Sequence, residues 1–92
     1  MTTYKVPEFT TFEFQKPVET KTLSSPPVSP VKGKRYIVKA TGADDWSGQD
    51  NNIMEYNGAT WDIIPKRAGM IVYIKDETAF YKYITSWTVS GI

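Results

Sequence analysis

An all-β fold is what this sequence predicts: a small antiparallel sheet, sandwich or partly open barrel built from hairpins and preceded by an extended N-terminal arm. Three observations lead there. From Gly33 onward, short β-branched and aromatic runs alternate with turn residues at close, regular spacing. No stretch sustains the 3.6-residue apolar period of a helix. Before Gly33 the chain is rich in Thr, Ser and Pro, with Pro7, Pro17, Pro26, Pro27 and Pro30 spread through it. Proline fixes φ and lacks an amide donor, which disfavours helices and central strands alike.

The division expected is an arm over residues 1–29 and a compact β domain over residues 30–92. The arm is not a plain solvated linker, because Tyr4, Val6, Phe9, Phe12, Phe14, Val18 and Leu23 give it more apolar anchors than a linker needs. It should lie on something, either its own domain or a neighbouring subunit. Of these anchors, Tyr4, Phe9, Phe12, Phe14, Val18 and Leu23 form the candidate assembly interface.

Tyr36-Ile37-Val38 supplies the first strand core. A polar loop follows, from Thr41-Gly42-Ala43-Asp44-Asp45 to Ser47-Gly48-Gln49-Asp50-Asn51, interrupted by Trp46. Strands at Ile53 to Tyr56 and Thr60 to Ile64 are joined through Asn57-Gly58, two residues that readily take the positive φ of a tight hairpin. Pro65 to Gly69 turns the chain into Met70 to Lys75, an almost unbroken apolar run that reads as a strand buried on both faces. After the turn at Asp76-Glu77-Thr78, Ala79 to Ile84 alternates, with Ala79, Tyr81 and Tyr83 on one face and Phe80, Lys82 and Ile84 on the other. Trp87-Thr88-Val89 closes the set.

Composition narrows the chemistry. A chain of 92 residues makes one thin core, so support from partner chains is expected. Eleven basic against ten acidic residues give a net charge of +1, too little to hold nucleic acid by phosphate neutralisation. No run approaches the roughly 18 apolar residues of a membrane span, and Met1 to Lys5 lacks the apolar core of a secretory signal. Neither nucleic acid nor membrane is therefore an expected partner.

Histidine and cysteine are both absent. Gone with them are the usual general base, the thiol nucleophile and the soft metal ligands, and no serine stands in a Gly-x-Ser-x-Gly elbow. Asp44, Asp45, Asp50, Asn51 and Asn52 carry the oxygens a hard cation prefers, but their spacing is not that of an EF-hand loop. They read as side chains that satisfy backbone groups in a tight turn. The expectation is a protein without catalysis, metal or cofactor.

Aromatic residues make up 14% of the chain, and most sit at strand positions where packing explains them. Trp46 stands apart in its polar loop, either a plug for one end of the sheets or a stacking platform. As a platform, Trp46 and Trp87 would stack on a host glycan while Asp44, Asp45 and Asn51 contact its hydroxyls.

The order of short motifs adds a resemblance. Phe14-Gln15-Lys16-Pro17-Val18, Lys21-Thr22-Leu23, Pro26-Pro27, Ser29-Pro30, Gly33-Lys34-Arg35-Tyr36-Ile37-Val38, Thr41-Gly42 and Trp46-Ser47-Gly48 resemble the start of a family of bacteriophage and prophage proteins. That family is a domain of unknown function found in tail-fibre, tail and head-spike components. The likeness runs on through Ile53, Tyr56-Asn57-Gly58, Thr60-Trp61, Pro65, Gly69, Val72, Asp76-Glu77, Tyr81, Tyr83 and Trp87. Two stretches depart from it, Ala43-Asp44-Asp45 and Ile84-Thr85-Ser86.

What the resemblance implies is a virion location and a structural role, a fibre-base, spike-base, adaptor or decoration module. It also implies a homotrimer in contact with other virion proteins, and it brings no catalytic residues. The alternative is a carbohydrate-binding module for host surface polysaccharide.

Overall fold

The computed structural model describes residues 13–90. Among these residues seven strands make up two sheets: β1 (Glu13–Phe14), β2 (Arg35–Ile37), β3 (Ile53–Tyr56), β4 (Trp61–Ile64), β5 (Met70–Ile74), β6 (Ala79–Tyr83) and β7 (Trp87–Val89). One sheet has the order β1-β5-β6-β7, the other β2-β3-β4. All pairs are antiparallel except β1 with β5. No α-helix occurs among the described residues, and short 3-10 turns at Asp44–Trp46 and Lys75–Glu77 fill two of the connections.

Strand alternation assigns each residue a face, and the faces pack in layers. Ile37 and Ile53 from the three-stranded sheet meet Met70, Val72, Ile74 and Tyr81 from the four-stranded sheet, with Val18 fully buried among them. Ile64, Ala79, Tyr83 and Trp87 complete this central layer. The other face of the three-stranded sheet has its own cover. There Val38, Met54 and Trp46 form a second cluster, flanked by Leu23, Tyr36 and Trp61.

The hairpin between β3 and β4 is wider than a two-residue turn. Asn57 Oδ1 accepts from the amides of Ala59 at 2.9 Å and Thr60 at 2.8 Å, while the Asn57 amide donates to Thr60 O at 3.0 Å. Asparagine's short carboxamide thus does the work of backbone in turning the chain, and Gly58 takes the positive φ of 101°.

Residues 13–23, part of the extended arm expected to lie on its own domain or on a neighbouring subunit, lie on their own domain and bond to both sheets. Glu13 and Gln15 donate to Gly69 O and Ile71 O, and Val18 donates to Tyr73 O. The chain then crosses to the other sheet, where the Glu19 amide donates to Arg35 O and Thr20 O accepts from Ile37. A boundary at residue 29 therefore cuts through shared hydrogen bonds and shared core. The compositional change near Gly33 marks a change of local conformation, because prolines confine this stretch to extended backbone without stopping it from packing.

Arg35 locks the crossing. Its Nε donates to Glu55 Oε1 at 2.6 Å on β3, and its Nη1 to Gln15 Oε1 at 3.1 Å on the incoming chain. Glu19 adds a second tie, to Lys75 at 2.8 Å and Lys34 at 3.6 Å.

Candidate functional site

A groove of about 200 Å³ opens where the end of β2 comes against the start of β7. Its walls come from four separate stretches of chain: Lys21, then Ile37 to Ala40, then Asn51, then Ser86 and Trp87. Ile37 and Val38 are buried and form its apolar side.

Trp87 begins β7, where register pairs it with Tyr83 and sets the two rings 5.2 Å apart. Its indole Nε1 donates to Asn51 O at 2.8 Å, joining the four-stranded sheet to the loop that leads into β3. Asn51 presents that carbonyl from a left-handed conformation, φ 68°, which asparagine tolerates better than most residues. Its own amide donates to Val38 O at 2.8 Å, so the residue is held from both sides. The tryptophan ring consequently has a set orientation at the groove.

Lys21 and Lys39 are the two charged residues of the lining, and both are cations. Lys21 Nζ lies 3.5 Å from Glu77 and 5.1 Å above the Tyr81 ring. Lys39 is exposed and makes no ion pair among the described residues.

The expected glycan residues divide. Trp87 and Asn51 come together in the groove; Trp46, Asp44 and Asp45 lie apart from it. Trp46 is 0% exposed and packs edge-on to Trp61 at 5.2 Å and tilted to Tyr36 at 5.7 Å. It is the plug of the second cluster, which corrects its reading as a stacking platform. The cause is the 3-10 turn at Asp44–Trp46, which leaves both aspartates in solvent and tucks the indole under the sheet. Gly42 makes room for this: a Cβ there would overlap the Trp46 carbonyl and come within 3.1 Å of Val38 Cγ1. Two polar side chains of the loop satisfy backbone, Asp50 Oδ1 accepting from the Gly42 amide at 2.7 Å and Asn52 Oδ1 from the Lys66 amide at 3.0 Å.

The expected interface residues divide as well. Tyr4, Phe9 and Phe12 lie outside the described residues. Val18 is 0% exposed in the central layer and Leu23 packs beside Trp46, so both serve the chain's own core and are corrected as interface residues. Phe14 is the one that faces outward, 63% exposed on β1. It meets Phe80 edge-on at 6.4 Å, and Phe80 meets Tyr73 at 5.1 Å. Register puts these three rings on the same face of the four-stranded sheet as Ile71, the face opposite Met70, Val72 and Ile74.

Residues 13–88 match the family described as "Protein of unknown function (DUF2793)". The chain belongs to this family. The DUF2793 match begins at Glu13, where β1 starts, and ends at Thr88 inside β7, so it takes in the crossing segment, both sheets and the whole groove lining. No curated protein and no solved structure matches the chain.

Lys21, Lys39 and Ser86 were not among the candidate site residues expected from the sequence. Nothing local marks them: each is an ordinary polar residue, and only the packing of the two sheets brings them beside Trp87.

Proposed function

We propose that the chain is a non-catalytic structural module of a bacteriophage virion, a small fibre-base, spike-base, adaptor or decoration unit. It assembles as a trimer and docks on other virion proteins through the N-terminal side of the four-stranded sheet. The motif order that resembles phage tail and head-spike components supports the setting. The absence of histidine and cysteine supports a role without acid–base or thiol chemistry.

One observation carries the docking surface. Phe14 stands 63% exposed at the start of the described chain, in a row of rings with Phe80 and Tyr73. An exposed phenylalanine backed by two half-buried rings is a feature of association surfaces, where large rigid side chains lose little entropy on burial.

Phe14→Ser tests the reading without touching the core. The expected result is that the parent protein sediments as a trimer and enters particles, while the variant keeps its circular dichroism spectrum and does neither. A monomeric parent, or a variant that assembles as well as the parent, overturns the proposal.

A further inference from the structure

We propose that the groove between β2 and β7 binds an acidic saccharide, a single pyranose ring carrying a carboxylate. The inference is separate from the docking role and uses none of its residues.

Four features select this chemistry. First, the groove offers an indole whose orientation is set: Trp87 Nε1 is engaged by Asn51 O at 2.8 Å, and Tyr83 backs the ring at 5.2 Å. An aromatic ring held in this way stacks on the apolar C–H face of a sugar with little ordering cost. Second, both charged groups in the lining are cations, with no carboxylate among them. Lys21 is partly neutralised by Glu77 at 3.5 Å, which leaves Lys39 as the cation available to a ligand carboxylate.

Third, Asn51 and Ser86 both line the groove, and neither the Asn51 carboxamide nor the Ser86 hydroxyl has a hydrogen-bond partner among the described residues. A carboxamide and a hydroxyl together donate and accept, as recognition of sugar hydroxyls requires. Fourth, the size is selective. A volume of about 200 Å³ is below the roughly 300 to 1,000 Å³ of drug-sized ligand sites and suits one ring, with the rest of an oligosaccharide lying in solvent. Two cations release too few counterions to hold a nucleic acid, so a compact singly charged ring is the better match.

The test is a two-dimensional amide and indole NMR titration of the full chain with trigalacturonate and with sialyllactose, using galactotriose as the neutral comparison and inorganic phosphate as the bare anion. The expected result is that at least one acidic saccharide shifts the Trp87 indole, Asn51 and Lys39 signals together. Galactotriose and phosphate should bind at least tenfold more weakly. Lys39→Gln, at an exposed position, should weaken the acidic sugar about tenfold with an unchanged spectrum elsewhere, and Trp87→Phe should weaken both acidic and neutral sugars. No shift at millimolar concentrations of either acidic saccharide, shifts centred elsewhere, equal binding of phosphate, or an unaffected Lys39→Gln variant would each overturn the site.

Discussion

Val18 lies parallel to Ile74, both fully buried, with the Val18 amide donating to Tyr73 O and the Val18 carbonyl accepting from Lys75, each at 2.9 Å. A valine from a proline-punctuated leader thus sits at the centre of the protein. Five residues later the same leader is bonded to the other sheet, where Leu23 O accepts from Lys39 at 2.8 Å.

This pairing predicts that the leader is needed for folding. Removing residues 1–29 strips β1 and Val18 from β5 and leaves an apolar strand with an unpaired edge. The truncated protein should lose its near-ultraviolet circular dichroism and its dispersed amide spectrum. Val18→Ala in the full chain should lower stability by about 2 kcal/mol, as deletion of buried methyl groups does. A native spectrum for the truncation, or an unchanged urea midpoint for Val18→Ala, would count against this arrangement.

Gly42→Ala should be more damaging than a glycine-to-alanine change in an ordinary loop. The added methyl meets the Trp46 backbone carbonyl, which cannot swing aside as the end of a flexible side chain could. The loop must shift, at a cost of about 1–3 kcal/mol for overpacking, and Trp46 loses part of its cover. The checks are urea unfolding and tryptophan fluorescence, which should move to longer wavelength as the buried indole meets water. An unshifted emission maximum would show that Gly42 and Trp46 are not in contact.

Alkaline pH should weaken the fold through two tyrosines. The Tyr81 hydroxyl donates to Glu77, and this hydrogen bond, aided by burial and the charges of Glu77 and Asp76, holds its pKa above the ordinary 10.0. Tyr36 is raised as well, first by burial and then by the charge of Glu19. Above pH 10.0 the unfolded chain loses these protons before the folded one does, so the folded state binds more protons and stability falls as pH rises. The contribution is complete below pH 10.0 and is lost as pH climbs through the folded-state values. Urea midpoints measured across this range should fall, and Tyr81→Phe should flatten the decline. A decline of equal steepness in Tyr81→Phe would remove Tyr81 as a source.

Much of the strand pattern was legible beforehand. The expected bounds at Ile53 to Tyr56 and Trp87 to Val89 coincide with β3 and β7, and those for β2, β4, β5 and β6 differ by a residue at one end or both. Alternation in Ala79 to Tyr83 and the unbroken apolar run of β5 state locally which faces are buried. The parallel β1–β5 pair was not legible, because two residues between prolines and threonines carry no period, and their partner stands more than fifty positions away. Trp46 was ambiguous for a related reason. Its polar neighbours describe the loop's solvent side, while the indole answers to Tyr36 and Trp61 on other segments.

By itself, then, the amino-acid order determined the all-β class, the places where strands run and turn, and the lack of histidine and cysteine chemistry. These depend on each residue and its near neighbours: β-branching, alternation, and the φ values glycine and asparagine allow. Only the tertiary structure decided that residues 13–18 run beside β5 and bury Val18 in the core, that Trp46 is a plug, that Phe14 faces outward and that Trp87 lines a cationic groove. Those outcomes depend on which distant surfaces meet, and burial is a property of both partners in a contact rather than of either alone.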